Sequence, residues 1–129
     1  MRKNTILFVS ILLILLIFSC ETPTVPEIEK FPAPENVQVN YYTTAYGVTW
    51  NGVEGAISYN FYLKSENSPN YEKIEDYFEA EQNKIFIYWD KFKELSLYGI
   101  GPYKIAVQAI SYDGRYSELA WSNTFYNLE

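Results

Sequence analysis

Apolar and polar residues alternate along four segments between residues 37 and 109. A period of two is typical of a β-strand that buries one face and turns the other to solvent. The apolar positions of the four segments are Val37, Val39 and Tyr41, then Tyr46, Val48 and Trp50, then Tyr59, Phe61 and Leu63, and last Tyr103, Ile105, Val107 and Ala109. The pattern therefore predicts an all-β fold made of short strands.

Turn signals and less regular stretches fill the rest of this region. Asp113-Gly114 follows the fourth segment and favours a two-residue hairpin turn before a last strand. Residues 85–89 are apolar on both faces. Residues 71–78 show a weak helical spacing, but we predict strands there as well, followed by a short helical turn at residues 90–94.

A different pattern occupies the start of the chain. Residues 6–18 are apolar except for Ser10, and they follow the basic pair Arg2 and Lys3. A membrane-spanning helix needs roughly 20 apolar residues, so this run is short for that role. A basic start, a short apolar core and a small residue at its end are the parts of a secretory signal peptide. We therefore predict export, with an uncleaved membrane anchor as the alternative.

The only cysteine of the chain, Cys20, directly follows this run. Ile17-Phe18-Ser19-Cys20 resembles the lipobox of bacterial lipoproteins, in which an aliphatic residue lies three positions before the cysteine and a small residue directly before it. The resemblance implies cleavage before Cys20, a diacylglyceryl lipid on its sulfur, and a location at a membrane of the bacterial cell envelope. The alternative is an ordinary signal peptide, or an unprocessed anchor, with an incidental cysteine.

The segment after the cysteine contains little that could pack. Residues 20–32 hold three prolines among acidic residues, which favours an extended linker. Without the two basic residues of the signal peptide, the chain has 8 basic and 16 acidic residues and a net charge near −8. Because this charge repels phosphate backbones, we do not expect nucleic acid as a partner.

Several motifs, taken in order, resemble the fibronectin type III domain. They are Pro34 before the first strand, Trp50 in the second, Gly55-Ala56-Ile57-Ser58-Tyr59 leading into the third, Leu97 six positions before Tyr103, the strand from Tyr103 to Ala109, and Tyr116-Ser117-Glu118-Leu119. That family uses the spacing of Leu97 and Tyr103 for its tyrosine corner.

The resemblance implies one seven-stranded, immunoglobulin-like β-sandwich over residues 33–129. It would follow a signal peptide at residues 1–19 and a lipidated cysteine with its linker at residues 20–32. The residues expected to hold its core are Trp50, Tyr59, Leu97 and Tyr103. Large aromatic side chains bury enough surface to dominate a core of this size.

Residue types that support catalysis are scarce. The chain has no histidine, the commonest general base and metal ligand, and its one cysteine is assigned to the anchor. An acidic run is present, but such runs are usually solvated, and this one lacks the spacing of a calcium loop. Its members are Glu72, Glu75, Asp76, Glu79 and Glu81. We therefore predict no enzymatic activity, no cofactor and no metal site.

Thirteen tyrosines exceed what the predicted core requires. Tyr62 is expected to point outward from the third strand. Tyrosine with arginine and glycine is typical of adaptable recognition loops, although cross-strand tyrosines also stabilise sheet faces. The candidate binding loop is Tyr112, Asp113, Gly114, Arg115 and Tyr116.

Three functions from different classes are compatible with these features. The leading hypothesis is a binding or adhesion module that is tethered to the envelope and contacts a protein partner. The second is a carbohydrate-binding domain, which would need two or three coplanar aromatic rings on one exposed face. The third is a structural spacer or assembly accessory without a ligand of its own.

Overall fold

The computed structural model describes residues 30–92, 94 and 99–127. The predicted signal peptide, Cys20, most of the predicted linker and Leu97 lie outside these residues. Within the described ranges, the chain forms two four-stranded antiparallel sheets with a shared hydrophobic core between them.

Eight strands and one short helix are formed by the described residues. Their bounds are β1 Glu35–Tyr41, β2 Ala45–Asn51, β3 Ala56–Ser65, β4 Glu72–Ile74, β5 Phe78–Glu81, β6 Lys84–Tyr88, α1 Trp89–Phe92, β7 Tyr103–Ser111 and β8 Ala120–Trp121. The first sheet has the order β1-β2-β6-β5, and the second has the order β4-β3-β7-β8.

The all-β prediction is confirmed, whereas the described residues contain one strand more than the seven predicted. The additional strand is β5, which pairs with β6 across the turn at residues 82–83. All four residues of β5 are exposed. Because no side chain of β5 is buried, the apolar pattern contains no signal for this strand, and only its backbone pairing defines it.

The inward positions of the alternating segments form most of the core. Eleven of them are buried: Val37, Val39, Tyr46, Val48, Trp50, Phe61, Leu63, Tyr103, Ile105, Val107 and Ala109. Two tyrosines with the same alternation differ from that expectation. Tyr59 is half-buried against the ring of Trp50. Tyr41 is 45% exposed because it ends β1 at the edge of its sheet, and its ring lies 5.7 Å from that of Tyr46.

A helical turn closes one end of the sandwich. The helix α1 covers Trp89–Phe92, one residue earlier than the predicted start of the turn. It buries Phe92 completely, and the ring of Phe92 lies 5.2 Å from that of Tyr46 and 5.3 Å from that of Tyr103. The helix thus places one large side chain in the core between two strands.

The last strand is irregular, and side chains replace part of its hydrogen bonding. The hydroxyl oxygens of Ser117 and Ser122 accept hydrogen bonds from the backbone N–H groups of Ala109 (2.9 Å) and Ile105 (3.0 Å). Both serines are buried. These side chains satisfy buried backbone donors of β7 where no regular partner strand continues.

Candidate functional site

The loop after β7 has a different geometry from the one predicted. The N–H of Gly114 donates to the carbonyl of Ser111 (3.0 Å), and the N–H of Ser111 donates to the carbonyl of Arg115 (2.9 Å). Gly114 has a φ of +82°, whereas neither of the two residues before it has a positive φ. A two-residue hairpin centred on Asp113-Gly114 would need a positive φ at both residues or at the first. The loop is therefore a three-residue connection with a left-handed glycine at its end.

Charged side chains hold this loop in place from within. The Nε of Arg115 donates to Asp113 Oδ2 (2.9 Å), and the hydroxyl of Ser111 donates to the same carboxylate. These hydrogen bonds lower the pKa of Asp113 below its ordinary value, the one from Ser111 having the larger effect. The guanidinium carbon of Arg115 also lies 5.7 Å from the ring centre of Phe31. The charged groups of the loop thus stabilise the conformation of the loop itself.

The first described residues pack against the same end of the sandwich. Phe31 is 7% exposed, and its ring lies beside Gly55 in the loop between β2 and β3. Lys30 Nζ contacts Glu118 Oε1 at 2.8 Å. We call this end the loop pole and define it as residues 53–57 and 111–116.

Three large side chains project from the loop pole into solvent. Tyr112 is 81% exposed, Ile57 67% and Tyr116 61%. The rest of the candidate loop consists of the pair Asp113 and Arg115 and the left-handed Gly114. The structure thus brings together the five predicted loop residues at one pole, but it leaves only the two tyrosines with largely free side chains.

A second group of side chains shares the outer surface of the sheet β4-β3-β7-β8. The Cα partners are Tyr62 with Lys73, Tyr62 with Ala106, Ala106 with Trp121, and Lys64 with Lys104. Directly paired residues of antiparallel strands point to the same face. We call this surface the aromatic–lysine face; it consists of Tyr62, Lys64, Tyr71, Lys73, Lys104 and Trp121.

The members of the aromatic–lysine face contact one another. The ring of Tyr71 lies 5.4 Å from that of Tyr62 and 6.0 Å from that of Trp121. The ammonium group of Lys64 lies 4.6 Å from the ring centre of Trp121, a cation–π contact. Lys104 lies 3.9 Å from a carboxylate oxygen of Glu66. These contacts hold aromatic rings and positive charges together on one solvent-facing surface.

The sequence pattern predicts some of the residues of this face but not that they lie together. Alternation assigned Tyr62, Lys64 and Lys104 to outward positions of two strands. Tyr71 and Trp121 come from other parts of the chain, and neither lies in a segment with clear alternation. Only the pairing of β3 with β4 and of β7 with β8 brings their rings together.

A cleft of about 540 Å³ lies beside β3 and the turn between β5 and β6. Aromatic rings from Trp50, Tyr59, Phe61 and Tyr77 line it, together with polar groups that include Glu79 and Asn83. Burial, and to a smaller extent the charge of Glu79, raises the pKa of Tyr77. The indole N–H of Trp50 is buried without a hydrogen-bond partner in the described residues.

The described residues contain no group of three or more acidic, histidine or cysteine side chains that could hold a metal ion. No helix within the same ranges is long and apolar enough to cross a membrane.

Solved structures with a similar fold include a fibronectin type III-like protein from Clostridium thermocellum. It is 18% identical, with a TM-score of 0.54, and the alignment covers 73% of this chain and 91% of that protein. The fold is that of a fibronectin type III-like β-sandwich. At this identity, the likeness shows the fold of the sandwich and nothing about its ligand.

A structure described as that of a myokine is 21% identical, with a TM-score of 0.46, and the alignment covers 73% of this chain and 92% of that one. No protein-family model and no curated protein matches the chain.

Proposed function

We propose that this chain is a lipid-anchored protein of the bacterial cell envelope, and that its fibronectin type III-like sandwich is an interaction module for a protein partner. The lipobox-like residues ending at Cys20 support the anchor. The fold supports a module that binds a partner or separates other parts of an assembly. One observation favours binding, namely the aromatic–lysine face, whose members are all at least partly exposed.

The positive charges of this face are informative because the chain as a whole has a negative net charge. Like charges directly opposite one another destabilise a strand pair, yet Lys64 is paired with Lys104. The whole chain has a net charge of −6, whereas three lysines lie together on this face, where Lys104 pairs with Glu66. Aromatic residues are enriched in protein interfaces. The partner that fits this face is a protein with an acidic surface.

The test is site-specific photo-crosslinking in native membranes. A crosslinking residue replaces Tyr71, which is 53% exposed, or Tyr88, which is 44% exposed and lies on the other sheet. We expect one defined crosslinked protein from position 71 only. The change Lys64→Glu with Lys73→Glu should abolish that product, since it reverses the charge of the face.

Two outcomes would contradict the proposal. The same products from both positions would show that the crosslinks report random neighbours. No product from position 71, with the folded chain present in the membrane, would favour a spacer without a ligand of its own.

The carbohydrate alternative has less support on this face. The rings of Tyr62 and Tyr71 are inclined at 80°, and those of Tyr71 and Trp121 at 66°, so these contacting rings form no flat platform. The cleft beside β3 has a volume and an aromatic lining that suit a small ligand. Binding of a soluble glycan that is lost in Tyr77→Ala, but not in Tyr71→Ala, would place a carbohydrate there.

The sequence also predicts a contribution of the loop at residues 112–116 to partner binding, and this prediction is tested separately from the aromatic–lysine face. Because Arg115 holds Asp113, its replacement would disturb the loop itself. The sharper variant is therefore Tyr112→Ala with Tyr116→Ala, which should shift stability by roughly 0.5 kcal/mol or less per residue. Unchanged crosslinking from position 71 in this variant would show that the loop is not required for the partner.

A further inference from the structure

We propose that the loop pole rests on the surface of the bilayer that holds the lipid of Cys20, with Ile57, Tyr112 and Tyr116 in the headgroup layer. This inference rests on the proposed anchor at Cys20. It assigns the loop pole to lipid and leaves the aromatic–lysine face for the protein partner.

The chain enters the sandwich at this pole. Lys30 forms an ion pair with Glu118 at 2.8 Å, and Phe31 is buried between Gly55 and Arg115. The loops after β2 and β7 are adjacent here, because Ala56 pairs with Ser111. The tether from Cys20 therefore reaches the domain beside the exposed tyrosines and not at the opposite end.

The length of the tether limits how the domain can approach the membrane. Lys30 lies ten positions after Cys20, and a fully extended chain spans at most about 36 Å over that number of steps. The ten-residue strand β3 runs from the loop pole to the opposite pole, a distance of about 30 Å. Contact through the opposite pole would thus require an almost fully stretched tether, which costs conformational entropy. Contact through the loop pole requires no such stretching of the tether.

The surface of the loop pole suits a lipid headgroup layer. Tyr112 and Tyr116 each present a ring with a polar tip, and tyrosine is enriched at the boundary between lipid and water. Ile57 adds an exposed aliphatic side chain. The pairs Asp113–Arg115 and Lys30–Glu118 neutralise four charged groups at this end of the sandwich, and Glu54 adds an exposed carboxylate. A zwitterionic surface therefore fits this pole better than a strongly anionic one.

The test uses the full chain, purified from membranes and checked for lipid by intact mass. The reporter variant is Tyr112→Trp, and the matched control is Ile100→Trp, because Ile100 is 72% exposed and lies three residues before β7 at the opposite pole. Each variant, with the unmodified chain as baseline, is inserted into phosphatidylcholine vesicles with or without brominated acyl chains. Circular dichroism establishes that both variants are folded.

We expect brominated lipid to quench the added tryptophan at position 112 about twofold more strongly than the one at position 100, since aromatic side chains at the lipid interface lie near the acyl chains. Equal quenching at the two positions, or none at position 112, would overturn the inference while leaving the anchor intact. If position 112 is shielded from solvent in native membranes but is not quenched by brominated lipid in vesicles, the loop contacts a protein and the lipid assignment is wrong. A mass without lipid on Cys20 would instead overturn the proposed anchor, and the inference with it.

Discussion

At the scale of single residues, Trp50 is a large core side chain whose removal should be costly. It is 6% exposed and contacts the rings of Tyr59 and Phe61 at 5.0 and 5.2 Å. We expect Trp50→Ala to lower the free energy of unfolding by about 3–5 kcal/mol, as for other buried aromatic residues. Urea denaturation measures this loss.

The control for this prediction is Trp50→Phe. The indole N–H has no hydrogen-bond partner in the described residues, so phenylalanine loses ring volume but no hydrogen bond. A loss as large as that of the alanine variant would contradict this expectation.

Tyr103 should make the stability depend on pH in the alkaline range. Its ring is buried, its hydroxyl donates to the carbonyl of Gly99 (3.1 Å), and burial raises its pKa above the ordinary value. The unfolded chain therefore loses this proton first, near pH 10, and stability falls as the pH rises toward the folded-state pKa.

In Tyr103→Phe we expect a loss of about 1 kcal/mol at neutral pH, from the missing hydrogen bond. The decline above pH 10 should be shallower than in the unmodified chain, since one of the groups that cause it is gone. Unfolding curves at pH 7 and above pH 10 test both statements. Parallel declines in the two proteins would exclude Tyr103 as a source of the pH dependence.

At the scale of elements, the acidic run of the sequence has a structural explanation. Glu79 and Glu81 lie on β5, the exposed edge strand of its sheet. Charged residues on edge strands prevent pairing with another copy of the chain. We expect Glu79→Thr with Glu81→Thr to associate as the concentration rises, which sedimentation velocity would detect.

The matched variant is Glu79→Lys with Glu81→Lys, which keeps two charges on the edge but reverses their sign. It should remain as monomeric as the unmodified chain, because a charge of either sign opposes edge pairing. Association of the lysine variant alone would mean that attraction between charges, and not strand pairing, drives the contact.

At the scale of the whole molecule, the proposed anchor would decide where the sandwich acts. We expect the mature protein to begin at Cys20 and to carry lipid, which intact mass of the membrane-extracted protein measures. Cys20→Ser should release the protein from the membrane or leave an unprocessed precursor, because two or three acyl chains hold a protein stably and none remains. A free thiol at Cys20 in the native protein, or retention of residues 1–19, would contradict this prediction.

Much of the fold could be predicted from the sequence because burial of one face leaves a period of two. The inward residues of β2 and β7, such as Val48 and Val107, follow this rule and are fully buried. The rule fails where burial and pairing are uncoupled. Strand β5 pairs without burying a side chain, and Tyr41 alternates correctly but lies at a sheet edge.

The candidate sites likewise combine features that the sequence determines with features that only the tertiary structure determines. The sequence by itself determined that tyrosines flank a turn after the fourth alternating segment and that Tyr62 and Lys64 face outward, since these are local properties of strands and turns. Only the tertiary structure decided that Tyr71 and Trp121 join them, that Arg115 is engaged by Asp113, and that Phe31 packs at the loop pole. These contacts join segments far apart in the chain, and their geometry depends on strand register and sheet packing, which no local pattern encodes.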